Sequence, residues 1–252
     1  MRLAPSCLPA LLPSVLLVML VPSHAAAQDN WDGRFRISAS GGDQISRDTI
    51  AQAFTVQKNL EAAPVTFDVD HKQIYWFDGS IVARLRGRWG VGATVSVATR
   101  DNDGHVGASI PHPFFFNQPR PIGGTIGARR TEVAVHLDAV YRLAARGRLD
   151  LSVSGGASIF NARETLVTDV AYTDAYPFDT ATFASAATTR STTTSGGFNV
   201  GADLTWKRWR RVGLGALVRF AHASATFSAS ANNTVTGDVG GLQAGGGLRF
   251  AF

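Results

Sequence analysis

Apolar side chains alternate with small or polar side chains along most of the chain after residue 27. A period of two is the signature of a β-strand, because successive side chains of a strand point to opposite faces. The apolar stripes run through residues 35–39, 65–69, 75–85, 89–97, 133–143, 149–159, 198–206, 212–220 and 242–252. The pattern predicts an all-β protein of about eight strands.

The two faces of these strands differ in charge. The central part of each apolar stripe contains no charged residue, whereas the opposite face carries arginines, carboxylates and small side chains. A charge that faces hydrocarbon at mid-depth costs about 2–4 kcal/mol, so a lipid-facing stripe excludes it. We therefore predict that the charged face lines a lumen, with these candidate residues: Arg34, Arg36, Arg84, Glu132, His136, Asp138, Arg142, Asp150, Asp203, Arg219 and Arg249.

Short and long connections alternate along the chain. Residues 86–88, 145–147 and 207–210 are tight, basic turns, and residues 42–64, 99–129, 161–195 and 224–236 are long connections. Antiparallel transmembrane barrels place short turns on the periplasmic side and long loops outside. Hydrocarbon also excludes an open sheet edge, so the first strand must pair with the last. The sequence predicts a closed antiparallel transmembrane barrel with both termini on the short-turn side.

The first 27 residues have a different pattern. Arg2 precedes an apolar run that Pro9 and Pro13 interrupt, and small residues follow before Gln28. This order is typical of a secretory signal peptide, so we predict a signal peptide at 1–27 and a barrel domain at 28–252. The alternative is a retained membrane anchor. Cys7 is the single cysteine, so no disulfide is expected in the mature chain.

Composition narrows the function classes. Only 17% of the residues are charged, and the formal net charge is +5. An exported basic chain meets an anionic membrane surface rather than nucleic acid. The sequence contains no phosphate-binding loop, zinc-ligand spacing or nucleophile elbow, so no cofactor or metal is expected.

The signal segment, the stripes and the C-terminal residues together resemble small bacterial outer-membrane β-barrel proteins of the OmpA-like and OmpX-like kind. The resemblance implies a multi-pass protein of the bacterial outer membrane. It also implies that the barrel-assembly machinery recognises Leu248, Phe250 and Phe252, and that outer-membrane lipids and lipopolysaccharide are partners. No OmpA-like peptidoglycan-binding domain is expected after the last strand. The oligomeric state stays open.

The lumen residues allow two interpretations. Paired charges would fill an eight-stranded lumen and hold the barrel together, since such a lumen is just wide enough for side chains. A narrow, arginine-rich channel for small solutes is the alternative. In either case we expect His136 to be a hydrogen-bonded lumen residue rather than a metal ligand.

Two further groups of residues are candidates for function. His222 and Ser224 resemble the His-x-Ser of outer-membrane lipid A deacylases, with Asp238 as an orienting acid, although Ala225-Thr226 departs from that pattern. In the predicted loops, the aromatic residues are Phe114, Phe115, Phe116, Tyr176 and Phe178. They either pack together as a cap or form a binding surface. The leading interpretation is a non-enzymatic barrel with a structural role or a role in loop-mediated binding.

Overall fold

A computed structural model describes residues 33–45, 48–71, 74–230 and 233–252. The predicted signal peptide and Cys7 lie outside the described residues. The strands are β1 (Phe35–Ile45), β2 (Asp48–Lys58), β3 (Glu61–His71), β4 (Ile74–Arg86), β5 (Trp89–Pro111), β6 (Pro119–Arg146), β7 (Leu149–Asp174), β8 (Ala181–Lys207), β9 (Val212–Ser230) and β10 (Asn233–Ala251). The described residues contain no helix long and apolar enough to cross a membrane.

Eight strands form a closed antiparallel ring. Its order is β5, β4, β1, β10, β9, β8, β7 and β6, and β6 pairs again with β5. The first and last strands meet along a ladder from Arg36 opposite Ala251 to Ile45 opposite Leu242. At its end, the backbone N–H of Phe252 donates to the carbonyl oxygen of Phe35 at 2.9 Å. The predicted closed barrel is confirmed.

The other two strands extend this ring on the side away from the short turns. β2 follows β1 along the chain, and β3 precedes β4. β4 pairs with the first part of β5, from Trp89 to Thr99, and β3 pairs with its distal part, from Gly104 to Ala108. We call β2, β3 and the distal ends of β5–β10 the extracellular extension.

Most of the predicted long connections are paired strand. β5 and β6 stay paired up to Pro111 and Pro119, and β7 and β8 stay paired up to Asp174 and Ala181. Irregular chain in these two hairpins is confined to 112–118 and 175–180. The Thr- and Ser-rich segment 188–195 is paired with β7.

The lower barrel, on the short-turn side, has an apolar outer surface. Outward side chains such as Ile81, Val135 and Leu214 are large, apolar and exposed. At the short-turn end, the rings of Trp89 and Tyr141 lie 4.8 Å apart. An outward apolar band edged by aromatic residues is the surface that a bilayer requires of a transmembrane barrel.

The interior of the extracellular extension is apolar. Val65, Phe67 and Val69 are fully buried there, together with Val106 of β5 and Val167 of β7. The sequence pattern placed residues 65–69 on a lipid-facing stripe, and this prediction was wrong. Because the outer face of β3 meets water instead of lipid, its apolar side chains turn inward.

The ladder between β1 and β10 ends at a bend. Gly240 and Gly241 have φ angles of +93° and +139°, which favour glycine. A Cβ at Gly241 would lie 2.6 Å from the carbonyl oxygen of Ile45. Beyond this bend β2 is not hydrogen-bonded to β10 in the described sheet. Instead, the Nε2 of Gln52 donates to the carbonyl oxygen of Val167 on β7 at 2.7 Å, so β2 crosses the mouth of the barrel.

Candidate functional site

The lower lumen contains opposite charges in direct contact. The Nε of Arg249 donates to Asp203 at 2.9 Å, and the Nε of Arg142 donates to Asp150 at 2.9 Å. An Nη of Arg219 lies 3.2 Å from an oxygen of Asp78, although β9 and β4 are not neighbours in the ring. Buried charges are tolerated when they are paired and hydrogen-bonded. The first two contacts provide both conditions, whereas Arg219 is paired with Asp78 and donates its hydrogen bond from Nε to Gln243 at 2.7 Å.

A second charged cluster lies where the lower lumen meets the extracellular extension. The Nε of Arg130 donates to Glu132 at 2.7 Å and lies 3.8 Å from a carboxylate oxygen of Glu164. The other oxygen of Glu132 accepts from Gln44 at 3.2 Å and from the backbone N–H of Gly240 at 3.1 Å. This cluster ties β6 and β7 to the bend of β10.

His136 lies between two serines. Its Nε2 is 3.1 Å from the Oγ of Ser96, and its Nδ1 is 2.7 Å from the Oγ of Ser158. Its ring meets the ring of Phe160 edge to face at 5.9 Å. Within the described part of the chain, no group of three or more His, Cys, Asp or Glu side chains could hold a metal ion.

The remaining predicted lumen residues lie at different depths. Arg36, with a nitrogen 3.8 Å from Asp203, is half-buried, as are Arg84 and Asp138. Arg34 is exposed. Arg34 precedes β1 at the short-turn end of the barrel, where the wall ends and water reaches the side chain.

The sequence analysis missed several lumen residues. Asp78 directly follows the outward-facing Phe77 on β4, so alternation alone was enough to place it on the inward face. Arg130 and Glu164 adjoin or lie within segments interpreted as loops, where inward parity was not considered. Gln243 of β10 is also buried in the lumen, and its Oε1 accepts from Arg219 at 2.7 Å.

Little free space remains between these side chains. A lumen cavity of about 50 Å³ lies among Arg36, Asp78, Asp138, Arg219 and Arg249. One water molecule needs about 10–15 Å³ of such volume, so the cavity holds only a few waters. Above it, Ile50 of β2 packs with Phe160 and Phe227 in an apolar cluster. The lumen is therefore filled by charge pairs below and by apolar side chains above.

The three residues of the esterase hypothesis share the outward face of β9 and β10. Ser224 lies opposite Asp238 in the ladder, and His222 is two residues away along β9. The ring of His222 stacks on Phe220 with centroids 6.3 Å apart, and it meets the ring of Phe198 edge to face. Among the described side chains, no hydrogen bond links His222, Ser224 and Asp238.

The predicted loop aromatics lie at the tip of the extension. Phe114, Phe115 and Phe116 are 69%, 57% and 68% exposed. Phe114 meets Phe178 edge to face at 5.5 Å, and Phe178 meets the exposed Tyr176 at 6.2 Å. These five residues form what we call the aromatic tip, which stays open to solvent while the mouth is closed below it by β2.

Buried polar contacts fix the aromatic tip. Arg120 is buried and donates from Nη1 to the carbonyl oxygen of Phe178 at 2.9 Å and from Nη2 to that of Pro111 at 3.0 Å. It also contacts Asp174 at 2.8 Å, so it joins the β5–β6 and β7–β8 hairpins. The Nδ1 of His112 accepts from the backbone N–H of Phe114 at 3.1 Å.

A ring without sheet edges, with an apolar band outside and paired charges inside, meets the demands of a bilayer on a β-structure. The chain has the fold of a small outer-membrane β-barrel protein. Its eight-stranded ring spans a bilayer eight times, with the short turns at one end and the long hairpins at the other. The barrel places the lumen network within the membrane and the aromatic tip outside it.

Solved structures of outer-membrane proteins are similar to the barrel in fold. OprG of Pseudomonas aeruginosa is 10% identical with a TM-score of 0.48, and the match covers 88% of this chain and 100% of OprG. Neisserial surface protein A is 12% identical with a TM-score of 0.42, covering 87% and 98%. The outer-membrane protease OmpT of Escherichia coli is 8% identical with a TM-score of 0.47, covering 86% and 96%. Neither a family profile nor a characterised protein matches the sequence.

Proposed function

We propose that the barrel is a non-enzymatic envelope protein that binds a partner through its aromatic tip. The exposure of Phe114, Phe115 and Phe116 carries this proposal. Full burial of a phenylalanine side chain stabilises a protein by about 1.5–3 kcal/mol relative to exposure. Three neighbouring phenylalanines of this protein do not make that full contribution to folding. Contiguous exposed apolar surface in a soluble region marks an interaction site.

The anchoring of the tip supports binding rather than disorder. Arg120 bridges two hairpins, and the backbone around Phe114 is held by His112. A surface that is already ordered loses little conformational entropy when it binds. Phenylalanine offers no hydrogen-bonding group, so the matching partner has an apolar surface.

The geometry gives less support to the two alternatives. A passive pore needs a continuous aqueous path, whereas the lumen contains ion pairs, a cavity of about 50 Å³ and the Ile50 cluster above it. A lipid A esterase needs its base in contact with the serine hydroxyl. The ring of His222 instead stacks on Phe220.

Retention of whole cells on an apolar matrix tests the proposal. Cells that display the full-length barrel are passed over octyl-agarose and over unsubstituted agarose. We expect selective retention on octyl-agarose, and we expect the triple variant Phe114→Ser, Phe115→Ser, Phe116→Ser to lose most of it, because the apolar contact area is removed.

Leu60 provides the matched control. It lies at the turn between β2 and β3 and is 91% exposed, but it is outside the aromatic tip. Leu60→Ser should leave retention unchanged. Equal retention of wild type and the triple variant would contradict tip-mediated binding, and stable conductance of the wild-type barrel in a planar bilayer would contradict the closed lumen.

A further inference from the structure

Three arginines converge on the outer surface of the barrel. Arg129 is on β6, Arg163 on β7 and Arg190 on β8, and all three are exposed. Arg190 pairs with Thr165, whose hydroxyl bonds to the backbone of Arg129, so these three residues form one row across the strands. Arg163 lies one row lower on the central strand. Neighbouring strands are about 4.8 Å apart, so long guanidinium side chains from these positions can reach one common group.

The arginines lie directly above the apolar band. Arg163 pairs with Thr131, and the next outward residue on β6 is Val133. Below it, Val135 pairs with Ile159, and both side chains are exposed. The surface therefore changes within one row from side chains that suit acyl chains to side chains that suit anions.

The cluster has excess positive charge. Asp101 contacts Arg129 through its Oδ1 at 2.6 Å and its Oδ2 at 2.9 Å. Among the described residues, Arg163 and Arg190 make no ion pair, so two guanidinium groups of the cluster have no carboxylate in contact. A groove of about 290 Å³ lies between them, and its outer lining comprises Arg129, Thr131, Val133, Asn161, Arg163 and Arg190. Glu164 of β7 also belongs to the lining, but its side chain is fully buried beside Arg130 of the inner cluster.

We propose that this groove binds a phosphate group of the phosphorylated, multiply acylated glycolipid of the outer leaflet, which is lipid A. Guanidinium groups bind phosphate through paired hydrogen bonds, and three of them around one groove match a doubly charged oxyanion. The acyl chains would lie along Val133, Val135 and Ile159. The groove is on the hairpin side of the apolar band, which faces the outer leaflet, and this position selects lipid A over the phospholipids of the inner leaflet.

Binding of defined lipids to the detergent-solubilised full chain tests the proposal. Wild type is titrated with lipid A, with dephosphorylated lipid A and with phosphatidylglycerol. We expect lipid A to bind most tightly. The double variant Arg163→Ala, Arg190→Ala should raise its Kd by about 10–100-fold, since each lost charge-assisted contact is worth about one factor of ten.

Two variants separate a lost site from a damaged fold. Arg146→Ala, Arg148→Ala removes the same charge at a periplasmic turn and should leave the Kd unchanged. Asp101→Asn removes the competing carboxylate and should lower the Kd, a gain that misfolding does not produce. Heat-modifiable gel mobility verifies the closed barrel in each variant.

Several results would overturn the assignment. Unchanged affinity of the arginine double variant would show that the cluster is not the site. Equal affinity for dephosphorylated lipid A or for phosphatidylglycerol would remove the basis for selecting lipid A. Full displacement of lipid A by millimolar inorganic phosphate would identify a free-phosphate site instead.

Discussion

The lower lumen and the interior of the extracellular extension lie on the same face of the same strands, yet they have opposite chemistry. Along β9, Arg219 points inward in the lower barrel, whereas Ala223 and Phe227 point inward above it. The outward face changes in the reverse sense, from Val218 to Ser224. The boundary lies where hydrocarbon gives way to water outside the wall.

This inversion shows that the outer solvent decides which residues fill the inside. Where hydrocarbon surrounds the wall, the apolar side chains of each strand face outward and contact lipid, so polar and charged side chains fill the interior. Where water surrounds the wall, the hydrophobic effect turns the apolar side chains inward, and the interior becomes a hydrophobic core like that of a soluble protein. Each half is stabilised by a different interaction, and the two halves should respond differently to substitution.

The largest expected effect comes from breaking a buried ion pair in the lower lumen. The side chains of Asp78 and Arg219 are 2% and 4% exposed and lie 3.2 Å apart. Asp78→Leu leaves the guanidinium without its carboxylate, and we expect a loss of about 3–5 kcal/mol in the free energy of unfolding. Urea unfolding of the barrel in lipid vesicles measures this loss.

A double variant tests the cause of that loss. Asp78→Leu combined with Arg219→Leu removes both charges, and we expect it to recover most of the stability, because an apolar pair needs no compensation. If the double variant were as unstable as the sum of the single variants, pairing would not explain the lower lumen.

The sequence predicted the lower half better than the upper half for a physical reason. Alternation identifies which residues share a face, as for Val135 and Leu214, but it does not identify the solvent beyond that face. The same period therefore describes Val135 in lipid and Phe67 in a core. The positions of charged residues distinguished a lipid-facing stripe from a buried one only within the transmembrane strands, because the lipid-facing stripe there contains no charged residue.

The partners within the lumen could not be predicted from alternation. Arg219 of β9 meets Asp78 of β4 across the lumen, and this contact depends on the tilt and stagger of the closed ring. Arg130 and Glu164 adjoined or lay within segments interpreted as loops, so the cluster around Glu132 was only partly predicted. The arginine groove required the register of three strands, which the sequence does not specify.

Phenylalanine-to-alanine substitutions in the two halves should reduce the free energy of unfolding by less than the loss of the buried ion pair does. Phe67 and Phe77 lie on β3 and β4; the first is fully buried and the second is 70% exposed on the outer wall. Phe67→Ala leaves a cavity in a core and should cost about 3 kcal/mol. Phe77→Ala should cost about 2 kcal/mol, the transfer contribution alone, because lipid chains fill the space.

Limited proteolysis distinguishes where these two losses act. We expect Phe67→Ala to expose β2 and β3 to cleavage while the transmembrane ring stays intact, and Phe77→Ala to leave the cleavage pattern unchanged. Equal stability losses with identical cleavage patterns would contradict the division into a lipid-supported half and a core-supported half.

The smallest expected effect is at the surface above the membrane, where Asp101 pairs with Arg129. The hydrogen bond from Arg129 holds the pKa of Asp101 below its ordinary value, and the charges of Arg129 and Arg190 act in the same direction. A carboxylate with a lowered pKa in the folded state stabilises the fold above its unfolded pKa of about 3.9. That contribution is lost as the pH falls through the lowered folded value.

Asp101→Asn should therefore cause a small loss of thermal stability at neutral pH that disappears in strong acid. Salt should weaken the effect at neutral pH as well, since the Asp101 side chain is 66% exposed and its pairing is screened. Asp103→Asn, the next outward carboxylate on β5, provides the matched control. A difference between wild type and Asp101→Asn that persisted in acid strong enough to protonate Asp101 in the folded state would show that shape rather than charge holds this pair together.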